Sequence, residues 1–119
     1  ASDVYKRQVS DMPFDDNTFD NITAVETYYF WPDKENDVKE VFRVLKQGGT
    51  VMLLFEMLRT DDDPFKWEKV ENMLNIKSVT PQEIRSVLES AGFENINTYT
   101  KEGTTWLCAT AQKPKDDEN

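Results

Sequence analysis

The sequence predicts an α/β fold. Two apolar strands flank an amphipathic helix between Phe19 and Phe55, a strongly capped helix begins at Thr80, and the alternating stretches after it suit a hairpin. FDNITAVETYYFWPD, KENDVKEVFRVLKQGG and TVMLLF read in turn as strand and aromatic loop, helix with a Gly-Gly stop, and strand. Two strands joined by one crossover helix imply parallel pairing and a right-handed connection. Ligands in such sheets bind outside the carboxyl ends of the strands. Here that edge carries Glu26, Thr27, Tyr28, Tyr29, Phe30 and Trp31, an aromatic cluster beginning at a carboxylate.

Composition narrows the function classes. The 119 residues make at most one domain, enough to bury a core but short for a complete doubly wound enzyme. A formal net charge of −9 opposes polyanion binding, which needs clustered Lys and Arg. The four glycines, Gly48, Gly49, Gly92 and Gly103, cannot spell a dinucleotide or P-loop phosphate cradle. With no histidine, Ser-His-Asp and Cys-His pairs and histidine metal sites are excluded. Cys108 is the single cysteine, and no signal peptide or membrane span is legible, so a cytoplasmic setting is expected.

Taken in order, residues 1–12 are polar without period, and Met12-Pro13-Phe14 leads into an Asx-type turn at Asp15-Asp16-Asn17. Ile22 to Val25 reads as a strand buried on both faces. Pro32-Asp33 starts a helix with Asp33 as N-cap, and Val38, Val41, Phe42 and Leu45 form its apolar stripe. Gly48 suits the left-handed C′ position, and Val51 to Phe55 is the second buried strand.

Asp61-Asp62-Asp63 before Pro64 reads as a solvated cap rather than a metal cluster, and no metal site is expected. A helical stripe follows at Phe65 or Lys66, Val70, Met73 and Leu74. This insertion leaves from the carboxyl end of the second strand and should cover the ligand edge. Thr80-Pro81-Gln82-Glu83 joins a capping box to a proline at N1, Ile84, Val87, Leu88 and Ala91 face the sheet, and Gly92 stops the helix. Glu94–Thr100 and Thr105–Ala111 alternate around a Lys101-Glu102-Gly103 connector, as in an antiparallel hairpin. Cys108 falls in that alternation as a buried structural thiol. Residues 113–119 form a charged tail expected to be disordered.

Four segments in this order resemble class I S-adenosylmethionine-dependent methyltransferases, specifically the small-molecule group related to ubiquinone and menaquinone methyltransferases. MPFDDNTFD is similar to that group's LPFPDNSFD, and ITAVE with the aromatic turn follows it. VFRVLKQGGTVML is close to EVLRVLKPGGRLLL, and TPQEIRSVLESAGFENI to the late helix and strand. Gln47 replaces the usual proline.

The resemblance implies a Rossmann-like methyltransferase fold in part: parallel strands four and five with crossover helices, plus a C-terminal antiparallel hairpin. In the family the strands run third, second, first, fourth, fifth, seventh, sixth across the sheet. It places the family segment at residues 9–112 and leaves 1–8 as a suspect non-native run, because SDVYKRQ resembles a spurious end on assembled sequences.

The cofactor implied is S-adenosyl-L-methionine. Val9, Ala24, Val25 and Glu26 are the cofactor-binding candidates carried over, and Gln8 stands where the family usually has an adenine-binding Asp. Tyr28 and Tyr29 are substrate-side candidates whose ring faces attract a sulfonium, with Phe65, Trp67 and Met73 in a lid and Phe65 and Trp67 its substrate-side candidates. Each has a plainer reading beside it: strand-end carboxylate for Glu26, core packing for the aromatics. The catalytic residue is unassigned, since methyl transfer needs approximation and a polarised cavity more than an acid or base.

The implied reaction is methyl transfer to a small molecule in the intact parent protein, without nucleic acid or membrane as partner. The family's glycine-rich first turn and ribose-binding acid have no counterpart here, so the chain alone is expected to be inactive. Its first strand would be an exposed edge open to self-association. The alternatives are a non-catalytic α/β interaction module and another Rossmann-like enzyme, such as a nicotinamide-dependent one.

Overall fold

The computed structural model of this chain describes residues 14–60 and 62–115. Four strands form one mixed sheet: β1 (Phe19–Val25), β2 (Leu45–Phe55), β3 (Glu94–Thr100) and β4 (Leu107–Gln112), in the order β1-β2-β4-β3. β1 and β2 pair in parallel across the crossover, Ala24 opposite Leu53 and Val25 opposite Leu54. β4 runs antiparallel to both neighbours. This order is the fourth, fifth, seventh, sixth portion of the sheet that the resemblance implies.

Two helices cover one face. α1 (Lys34–Val44) starts at Asp33, whose carboxylate accepts from the Asn36 amide, while Asp37 Oδ2 accepts from the Asp33 amide. α3 (Pro81–Ala91) starts at Thr80, whose hydroxyl accepts from the Glu83 amide, and ends at Gly92 in the left-handed region. A Cβ at Gly92 would stand 3.2 Å from the Phe42 ring, which packs edge-on against Phe93 and locks α1 to α3. Leu45, Val51, Leu53 and Phe55 of β2 and Leu107, Ala109 and Ala111 of β4 lie beneath, essentially inaccessible.

Five expectations need correction. β1 is not buried on both faces: Ile22 and Ala24 pack on the core while Thr23 and Val25 are exposed, because no described element covers their side. Gly48 does not cap α1. The Asn17 and Thr18 amides collect the Arg43 and Val44 carbonyls, and Lys113 Nζ takes Leu45 O at 2.9 Å, so the helix ends at Val44. Gly48 (φ +81°) instead serves the irregular start of β2, where Leu45 pairs with Phe19 but Thr50 with Asn21.

Asp63 and Pro64 cap no helix; they lie in turns, and α2 (Glu68–Leu74) starts from Trp67 and buries no residue. Its proposed stripe is largely solvated, with Phe65, Met73 and Leu74 exposed and Val70 half-buried. Cys108 is half-buried on the open face of the sheet rather than in the core. Burial still raises the pKa of its thiol.

Candidate functional site

The carboxyl ends of β1 and β2 lie side by side, and the chain leaves them through two different segments. After Val25 the backbone passes through Glu26 in the left-handed region (φ +59°), a conformation that costs a non-glycine residue about 1 kcal/mol. Its amide still donates to Leu54 O at 2.9 Å, so the parallel ladder runs one residue past the strand. Its carboxylate Oε1 accepts from the Glu56 amide at 2.8 Å. The strained residue thus closes the ends of both strands with its main chain and its side chain.

The turn that follows is a single 3-10 turn, Tyr28–Phe30, with both tyrosines buried and Phe30 exposed. The Tyr29 hydroxyl accepts from the Glu56 and Met57 amides at 3.1 and 2.9 Å, and the Glu26 carboxylate shares the Glu56 amide. Tyr28 turns toward α3, where Glu83 is the nearest carboxylate acting on its phenol. Its ring packs edge-on against Phe55 at 5.5 Å and lies under the Lys34 ammonium at 5.3 Å. Desolvation, then nearby carboxylates, pushes the Tyr28 phenol pKa upward; burial does the same for Tyr29, so both phenols stay neutral.

A charged cluster stands behind this turn. Desolvation raises the Glu83 pKa against the opposing pull of Arg59 and Lys34. Arg59 Nη1 donates to Ser78 O and Oγ, and Glu71 accepts from the Ser78 amide at 2.7 Å and hydroxyl at 2.6 Å. Those Ser78 hydrogen bonds lower the Glu71 pKa. Among the described residues no group of histidine, cysteine or carboxylate side chains is placed to hold a metal ion. A recess of about 410 Å³ lies at the other end of β2, lined by residues including Gly48, Glu94, Gln112 and Lys113, away from this edge.

The structure therefore brings together Ala24, Val25, Glu26 and Tyr29, with Tyr28 one layer deeper. Trp67 sits apart in the insertion, donating its indole N–H to Leu58 O at 2.8 Å, and Phe65 projects into solvent. Val9 lies outside the described residues. Sequence reasoning missed Lys34, Arg59 and Glu83. One signal was available for Lys34, a cation in the first helical turn where the dipole disfavours it. It is held by the Tyr29 and Trp31 carbonyls, each at 3.3 Å.

Residues 2–53 match the methyltransferase domain family, a span that includes β1 and α1 and ends inside β2. The chain is 30% identical over 108 residues to YdaC of Bacillus subtilis, an uncharacterized methyltransferase, covering 89% of this chain and 54% of that one. It is 32% identical over 114 residues to the ubiquinone/menaquinone biosynthesis C-methyltransferase UbiE of Cronobacter sakazakii, covering 77% and 45%. Over its matched part the chain is similar to S-adenosylmethionine-dependent methyltransferases. It spans about half the length of these two curated relatives.

Solved structures place the methyltransferase fold beyond sequence similarity. A Thermotoga maritima S-adenosylmethionine-dependent methyltransferase superposes with a TM-score of 0.74 at 21% identity, covering 88% of this chain and 61% of that one. The [4+2]-cyclase SpnF superposes at 0.76 with 16% identity, covering 98% and 62%. One fold thus carries proteins named for different reactions, and function has to be argued from the site. No helix among the described residues is long and apolar enough to cross a membrane.

Proposed function

We propose that this chain supplies the strand-four-to-seven part of a methyltransferase site, and that the whole protein transfers a methyl group from S-adenosylmethionine to a small molecule in the cytoplasm. The observation that carries this reading is Glu26: a strained carboxylate at the carboxyl end of a parallel strand, in a chain similar to this family. S-adenosylmethionine supplies an electrophilic methyl group on sulfur when bound.

The described residues fit it as one wall. Val25 offers an apolar surface, Ala24 and Glu26 the adjoining backbone, and the Glu26 carboxylate has acceptor capacity for a hydroxyl or ammonium beyond its Glu56 contact. Tyr29 ties the turn to the end of β2 through the Glu56 and Met57 amides, and Tyr28 packs beneath it on Phe55. Phe65 and Trp67 belong to the substrate side, carried on the insertion that leaves β2. Val9 would complete the cofactor side. The uncovered edge of β1, with Asn21 and Thr23 exposed and no lysine or proline on it, is a self-association surface.

One wall does not hold a cofactor tightly. Calorimetric titration of the chain alone with S-adenosylhomocysteine should give no saturable heat in the micromolar range. A chimera in which this chain replaces the matched segment of the Bacillus subtilis relative should bind it. Glu26→Ala in that chimera should weaken binding about tenfold, the loss of one hydrogen bond from a charged group. A folded chimera with no binding refutes the reading, and micromolar binding by the chain alone refutes the one-wall account.

A further inference from the structure

Glu56 is the first residue past β2, and its main chain is held from two sides. Its amide donates to Glu26 Oε1 at 2.8 Å and to the Tyr29 hydroxyl at 3.1 Å, and the next amide, Met57, donates to the same hydroxyl at 2.9 Å. Phe55 before it and Met57 after it are buried, so alternation sends the Glu56 side chain away from the core. The residue is exposed at the carboxyl edge. The cations of this region are engaged elsewhere: Arg59 donates to Ser78, and Lys34 to the Tyr29 and Trp31 carbonyls. Among the described residues none forms an ion pair with Glu56.

Tyr29 connects this carboxylate to an aromatic ring. Its hydroxyl sits on the Glu56 amide, and its ring meets Phe30 edge-on, with centroids 6.3 Å apart. Phe30 is 61% exposed, although Tyr28, Tyr29 and Trp31 around it are buried. One rigid side chain thus fixes the backbone under a solvent-facing carboxylate and stands against a solvent-facing ring. Both lie past the carboxyl ends of parallel strands, where ligands bind in such sheets. A carboxylate makes its strongest hydrogen bonds with a cationic donor, and a phenyl face attracts a cation. An anion would be repelled by Glu56, and the formal net charge of −9 favours the approach of cations.

Resting on the methyl-transfer reading of this edge, we propose that the small molecule carries a protonated amine, which Glu56 binds, and that Phe30 packs on the apolar carbons beside it. Glu56 thereby selects amine-bearing molecules over neutral and anionic ones. The ammonium is a handle rather than the methyl acceptor, since a protonated nitrogen has no lone pair to attack carbon.

Phenethylamine tests this against phenethyl alcohol, which has the same ring and chain without the charge. An alkyl amine is protonated at neutral pH, as the lysine side chain is. Calorimetric titration of the Bacillus subtilis chimera, with and without S-adenosylhomocysteine, should show the amine binding about tenfold more tightly than the alcohol. Glu56→Gln should remove that preference. Melting and S-adenosylhomocysteine affinity should stay close to wild type, because the side chain is exposed and the amide contacts remain. Phe30→Ala, at an exposed position, should weaken both probes alike. Three results overturn the proposal: equal affinity for amine and alcohol, a preference that survives Glu56→Gln, or no amine binding up to about 10 mM. No S-adenosylhomocysteine binding, with the Glu56-dependent preference intact, refutes the methyl-transfer reading and upholds Glu56 as the ammonium site.

Discussion

Two segments leave the carboxyl edge of the sheet, and they bury their large apolar residues to different degrees. The turn after β1 buries Tyr28, Tyr29 and Trp31 to 2%, 5% and 8% exposure. The insertion after β2 leaves Phe65 74% and Met73 72% exposed. The turn joins a strand to a capped helix within a few residues, so both tyrosine rings pack onto Phe55 and Trp31 onto Tyr28, while Phe30 alone stays exposed, and the Tyr29 hydroxyl finds two amides. The insertion is longer and is held at its base by polar contacts: Trp67 to Leu58, and Glu71 with Arg59 to Ser78. Short connections convert hydrophobicity into burial; long ones need specific anchors and leave the tip free to serve another surface.

The largest test of this contrast is Phe55→Ala. Phe55 is inaccessible and both tyrosine rings pack edge-on against it, so the loss of stability should be about 3–5 kcal/mol by urea denaturation. The near-ultraviolet signal of the aromatic turn should weaken with it. Tyr29→Phe is the next step down. It keeps the ring but leaves the Met57 amide without the hydroxyl and removes one acceptor from Glu56, for a cost of about 1–3 kcal/mol. A loss under about 0.5 kcal/mol for Tyr29→Phe would mean that water replaces the hydroxyl and the turn is looser than its burial implies.

The same contrast explains what was legible in the sequence. The starts of α1 and α3 were readable because Asp33 and Thr80 cap through local hydrogen bonds that three or four residues encode. The parallel pair and the hairpin followed from apolar runs and alternation. The end of α1 was not readable, since Asn17, Thr18 and the remote Lys113 decide it through long-range contacts. The start of α2 failed for a related reason: Asp63-Pro64 is a good local signal, but the chain spends it on turns before the Trp67 anchor. At the site, the position of Glu26 was legible, and its bond to Glu56 was not, because that bond depends on the register of β1 against β2. Lys34 and Glu83 looked like helix-end residues and proved to flank Tyr28.

A smaller effect separates the two segments by pH. The Ser78 hydrogen bonds lower the Glu71 pKa in the folded state, so Glu71 contributes stability above the unfolded carboxylate value of about 4.3. That contribution is lost as pH falls through the lower folded value. Glu83 has the opposite sign: its pKa is raised by burial, so its contribution is present below the unfolded value and lost as pH rises through the folded one. Glu71→Gln should flatten the acid limb of a stability-against-pH curve, whereas Glu83→Gln should steepen it. Identical curves for the two variants would show that neither carboxylate is coupled to folding as its partners imply.

The smallest expected effect is Phe65→Ala, and it bears most directly on the insertion. A ring 74% exposed gives up little burial when removed, so stability should change by no more than about 0.5 kcal/mol. The same substitution in the Bacillus subtilis chimera should act on substrate, if Phe65 stands on the substrate side as proposed. It should raise KM with little change in kcat, because an apolar contact made equally in ground and transition states is lost. Trp67→Phe provides the comparison, since it removes the indole N–H that reaches Leu58 O and should cost about 1 kcal/mol of stability. Opposite results, with Phe65→Ala unfolding the chain and Trp67→Phe leaving it intact, would mean that the tip of the insertion packs in solution and its base does not. The insertion would then be a structural cover over the carboxyl edge, closer in kind to the aromatic turn than its exposure suggests.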